Sequence, residues 1–226
     1  MGNRVHCSFC GAPLDTMAVR CSYCGIEVEG VSTLQQQEAR IKEIQSAIKG
    51  RNPTFSEAME LARLFMAVGK NAHAEDCLRR AIELEPNAPH PRLLLCLSLL
   101  GFNRQAASSR VYEDEILKQY AWLHEHHRDL PEVEWLGYFL ELERLMWGGD
   151  WRRGIEKGAA AVEKYPDNYL LQFMYGLALM HFGDTKNLKL EDYRKALHYF
   201  KLSAELNPEF VPAVKNASAL EDYLKG

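Results

Sequence analysis

Residues 55–88, FSEAMELARLFMAVGKNAHAEDCLRRAIELEPNA, decide the fold. Counting Phe55 as position 1, small or apolar side chains fall at positions 4, 7, 8 and 11 (Ala58, Leu61, Ala62, Phe65) and again at 20, 24 and 27 (Ala74, Leu78, Ala81). Spacings of three and four return to one side of a 3.6-residue helix, so each half reads as an amphipathic helix. Gly69 at position 15 marks a turn between the two, and Pro86 at position 32 stops the second. The stretch is a helix–turn–helix unit of 34 residues.

The same phase returns downstream. In residues 135–168, Tyr138, Leu142, Leu145, Gly149, Gly154, Ala161 and Pro166 take positions 4, 8, 11, 15, 20, 27 and 32, while Glu141 departs from the apolar residue of position 7. From Tyr169, Tyr175 and Gly176 fall at 7 and 8 and Gly183-Asp184 at the turn. An eight-residue insertion, Thr185 to Asp192, follows before Tyr193, Ala196, Phe200 and Pro208 resume at 17, 20, 24 and 32. The unit from Pro89 is the least regular: Leu95, Cys96 and Leu99 fit 7, 8 and 11, but it spans 46 residues, 34 + 12, with a second helix running on toward His127. Phe210 to Lys225 reads as a terminal helix shielding the last apolar face.

This pattern resembles the tetratricopeptide repeat (TPR) family over residues 55–225, in four units with two insertions. The resemblance implies an all-α, TPR-like helical-hairpin solenoid that binds or scaffolds and carries no catalytic residues. In the family, positions 2, 5, 9 and 12 of each first helix line the concave side. Carried over, these positions include Met59, Arg63 and Met66; Leu93 and Leu97; Leu136, Phe139, Glu143 and Met146; and Leu170, Phe173, Leu177 and Met180. Family members that grip an acidic peptide C-terminus use Lys, Asn and Arg at such places, and most of these positions are apolar here. A Met- and Phe-rich groove suits an amphipathic helix or apolar peptide of a protein partner. The competing reading fills the groove with the chain's own 33–49 helix or makes it part of the core.

That helix is expected from Ser32 or Thr33 as cap and the helix formers of 35–49, with Leu34, Ile41, Ile44 and Ile48 as a narrow apolar stripe. Two heptads are too few for an independent coiled coil, so the stripe either packs on the following domain or forms a homodimer seam. Gly50-Arg51-Asn52-Pro53 closes this linker, residues 31–54.

The N-terminal 30 residues carry different chemistry. Cys7-Ser8-Phe9-Cys10-Gly11 and Cys21-Ser22-Tyr23-Cys24-Gly25 are two C-x-x-C-G turns. Thiolates at i and i+3 of a tight turn can face one ion, and the following glycine lets backbone N–H groups swing toward the sulfurs. The doubled motif resembles the short zinc ribbon over residues 5–28, a small β-hairpin. That resemblance implies one structural Zn2+ on Cys7, Cys10, Cys21 and Cys24, a closed four-thiolate shell that contributes folding energy rather than catalysis. Phe9 and Tyr23 sit at equivalent knuckle positions and either stack on bases or pack over the zinc core and a protein partner.

Composition narrows the rest. The 27 Lys+Arg and 31 Asp+Glu give −4, and residues 1–30 hold only Arg4 and Arg20 as cations, so nucleic acid is the alternative partner and a protein the leading one. No apolar run reaches membrane-spanning length and no secretory h-region opens the chain, which reads as cytoplasmic. Cys77 and Cys96 fall at packing positions and are expected to be inert thiols. His124-Glu125-His126-His127-Arg128-Asp129 lacks the second histidine of a zincin and reads as a solvated helix end, and Trp147 and Trp151 as packing at a turn. No phosphate loop, nucleophile elbow or paired catalytic carboxylates are present, so a non-enzyme is expected.

Overall fold

The computed structural model describes residues 5–6, 13–14, 34–100, 112–185, 190–208 and 210–225. Among them are two short strands, β1 (Val5–His6) and β2 (Pro13–Leu14), paired antiparallel with Val5 opposite Leu14. Ten helices follow: α1 (Leu34–Ala47), α2 (Phe55–Ala67), α3 (Asn71–Leu84), α4 (Pro89–Leu99), α5 (Glu113–His127), α6 (Pro131–Trp147), α7 (Trp151–Lys164), α8 (Tyr169–Thr185), α9 (Leu190–Leu206) and α10 (Val211–Lys225). Helices α2 to α9 make the four expected hairpins and α10 the expected terminal helix. Helices α1 to α5 belong to one compact unit, ending at Val133; a second begins at Glu134, in the first turn of α6, and holds α7 to α10.

In the first unit α2 starts where a capping box closes its exposed amides. Glu57 N–H donates to Thr54 Oγ1 at 3.3 Å, and Thr54 N–H donates to Glu57 Oε2 at 2.8 Å. Arg51 reinforces the box through Glu57 Oε1 at 2.5 Å. The positions that define the repeat are its core: Ala58, Leu61, Ala62 and Phe65 on α2 and Ala74, Leu78 and Ala81 on α3 are all buried. Gly69 turns the chain between them with φ 72°, a left-handed conformation that favours glycine. Leu93 to Leu99 are buried without interruption, so α4 is covered on every side. Arg79 joins α3 to α5 through a two-pronged bond to Glu115, at 2.9 and 2.8 Å.

Helix α1 packs against α2. Its stripe residues Ile41 and Ile44 are buried, Ile48 is half-buried, and Arg40 Nε donates to Glu60 Oε1 at 2.7 Å. The two central isoleucines are therefore spent within the chain.

In the second unit Gly149, φ 74°, repeats the turn of Gly69, and Asp150 caps α7 by accepting from Arg153 N–H at 3.3 Å. Glu141, the polar residue at an apolar repeat position, reaches Lys157 on α7 at 3.0 Å and stays half-exposed. Asn168 Oδ1 accepts from Leu170 and Leu171 N–H, both at 3.1 Å, and opens α8. Leu179, Tyr193, Ala196, Phe200, Ala217 and Leu220 form one cluster across α8, α9 and α10.

One expectation changes. The turn expected at Gly183-Asp184 is helix: α8 continues through Thr185 and α9 begins at Leu190, so the insertion lengthens both helices to 17 residues. The second helix of the irregular hairpin, α5, does run to His127, as expected.

Candidate functional site

The residues carried over as groove positions divide between the two units. On α2 and α4, Met59, Met66, Leu93 and Leu97 are buried, at 4, 5, 3 and 6% exposure. Arg63 lies between the two methionines on the same helix face, half-buried. Its Nε is shielded from solvent and has no acceptor among the described residues. Glu60, one turn back on α2, is occupied by Arg40 of α1.

On α6 and α8, Leu136, Phe139 and Leu170 are buried, while Glu143, Met146, Phe173, Leu177 and Met180 keep partial exposure. Phe173 is anchored: its ring lies 5.6 Å from that of Phe200 and 5.1 Å, edge-on, from that of Phe210. Leu177 and Met180 pack on the same α8–α10 cluster. Phe173, Leu177 and Met180 thus serve the core and show one edge to solvent, with Glu143 and Met146 outside that cluster.

Other candidates resolve as structure. Helix α5 ends at His127, with His124 and His126 exposed, and no group of three or more metal-ligating side chains comes together among the described residues. His126 has an aromatic partner one turn back on α5. Trp122 stacks on His126 at 4.6 Å, and the Arg92 guanidinium lies over the Trp122 ring at 4.1 Å. Arg92 also donates to Gln119 Oε1 at 2.6 Å and to the Pro86 carbonyl at 3.0 Å, tying α4 to α5. Burial raises the Cys77 thiol to about 11 and Cys96 to about 12, so neither presents thiolate at neutral pH. Trp151 stacks on His181 at 5.0 Å, joining α7 to α8, whereas Trp147 is 61% exposed. An open cleft of about 290 Å³ lies between α1 and α3, floored by Ala58, Leu61 and Phe65 of α2 and edged by His73, Asp76, Cys77 and Arg80. The four zinc-ribbon cysteines Cys7, Cys10, Cys21 and Cys24 lie outside the described residues.

No described helix is long and apolar enough to cross a membrane. No protein-family model matches the chain, and no curated protein matches it. Solved structures do. The human IFIT1 dimer with PPP-AAAA is similar at a TM-score of 0.55 and 16% identity, over 84% of this chain and 43% of that one. TTC0263, a thermophilic TPR protein of Thermus thermophilus, is similar at a TM-score of 0.52 and 15% identity, over 83% of this chain and 92% of that one. The chain thus spans less than half the length of the IFIT1 chain and most of the Thermus protein. At such identities the likeness is one of fold, and with the hairpin register above it establishes a TPR-like, all-helical repeat fold.

Proposed function

We propose that the chain is a non-catalytic interaction adaptor whose helical hairpins hold a peptide or amphipathic helix of a protein partner. The observation that carries this reading is the repeat register itself. The carried-over helix positions recur from hairpin to hairpin, buried on α2 and α4 and, on α6 and α8, as apolar side chains with a solvent edge, Met146, Leu177 and Met180 among them. Stacked hairpins present such positions as an extended surface, and methionine adapts to irregular apolar partners. The fold shared with the Thermus TPR protein supports the reading, since helical repeats of this class commonly bind other proteins. Met146→Lys with Met180→Lys tests it, because both side chains are only half-buried and lysine can lay its stem over apolar surface. Partner capture should fall steeply while the helical circular dichroism stays at wild-type strength; unchanged capture removes this surface from the mechanism. Phe139 and Phe173 are unsuited to the experiment, one being buried and the other locked between two rings.

The ribbon, with one zinc ion on Cys7, Cys10, Cys21 and Cys24, enters this reading as a rigid module or second contact surface. A second reading makes it a nucleic-acid contact, favoured by Phe9 and Tyr23 on its knuckles and by a fold neighbour whose structure includes PPP-AAAA. Binding of that kind should weaken steeply with added salt, and a salt-indifferent complex counts against it.

A further inference from the structure

We draw no further inference here: the strongest candidate, the outward face of helix α10 with its exposed Val211 and Val214, carries nothing because nothing in the structure shows what covers it.

Discussion

Three glycines in the second unit occupy like places in helices and should respond to alanine with opposite signs. Gly154 and Gly158 lie on α7 and Gly176 on α8. In a helix interior, glycine to alanine gains about 1 kcal/mol from backbone entropy alone. A Cβ at Gly154 would meet only the Ala178 Cβ at 3.8 Å, ordinary contact, so Gly154→Ala should keep that gain. A Cβ at Gly176 would lie 2.8 and 2.9 Å from two atoms of the Phe200 ring, which is fully buried and has no free volume to enter. Overpacking of this kind costs about 1–3 kcal/mol, and with two atoms below van der Waals contact the upper part of that range applies. Set against the helix gain, Gly176→Ala should lose about 1–2 kcal/mol. Gly158→Ala should lose a similar amount: Tyr175 Cδ2 would be 2.5 Å away and its Cγ and Cβ 3.1 and 3.2 Å, and atoms at the root of a side chain cannot swing aside. Thermal unfolding followed by circular dichroism should separate Gly154→Ala from Gly176→Ala by about 5–10 °C, at about 2–4 °C per kcal/mol for a chain of this size. Gly176→Ala combined with Phe200→Leu should recover part of the loss, since the shorter side chain vacates the ring's space. The reasoning is refuted if Gly176→Ala melts at or above wild type, or if Gly154→Ala falls as far as Gly158→Ala.

Phe200→Ala should cost about 3–5 kcal/mol, because the ring is fully buried in the α8–α10 cluster. Hydrogen exchange should show the loss in α8 to α10 and leave α2 and α3 protected, whereas uniform loss would mean that the two units unfold as one. Acid should weaken the hairpins through their paired carboxyls. Arg51 and the Thr54 amide hold Glu57 down at about 2, and Arg79, Lys164 and Lys201 hold Glu115, Glu134 and Glu221 below their ordinary values. Such groups bind protons less readily folded than unfolded, so their support is complete above the ordinary carboxylate range and fades as pH falls through the folded values. Glu57→Gln should therefore flatten part of the stability change between about pH 5 and pH 2, and an unaltered profile would show that the Arg51–Thr54–Glu57 box contributes nothing measurable. Metal analysis should find one zinc per chain, lost in Cys21→Ser with Cys24→Ser, while most helical signal persists because repeat stability is local. A chain purified in zinc without retaining any would remove the ribbon's metal.

The helices were readable in the sequence wherever local periodicity and local turn chemistry agreed. Phe55 opens α2, Asn71 opens α3 and Trp151 opens α7 in the register counted from the apolar positions, and Gly69 and Gly149 take the left-handed turns that position 15 demands. Gly183 stands in the same place yet stays in helix, because the residues added after it displace the turn, a matter of spacing to the next element rather than of glycine itself. The capping box of α2 was legible in Thr54-Phe55-Ser56-Glu57, a Thr-x-x-Glu signature at a helix start. The packing of α1 was not: its stripe fits a dimer seam and an intrachain seam equally, and only the burial of Ile41 and Ile44 beside the Arg40–Glu60 bond distinguishes them. Phe173 shows the same limit. Its repeat position places it in a groove, but the aromatic rings that fix it, Phe200 and Phe210, come from α9 and the residue before α10.

Polar side chains within the hairpins are placed by partners on other helices. Glu141 breaks the apolar pattern and is met by Lys157; Arg79 is met by Glu115, and Ser203 donates to the Tyr169 carbonyl at 2.8 Å from full burial. Each pairing joins two different helices, so local periodicity does not reveal it, and at buried Ser203 the bond offsets the cost of withdrawing a hydroxyl from water.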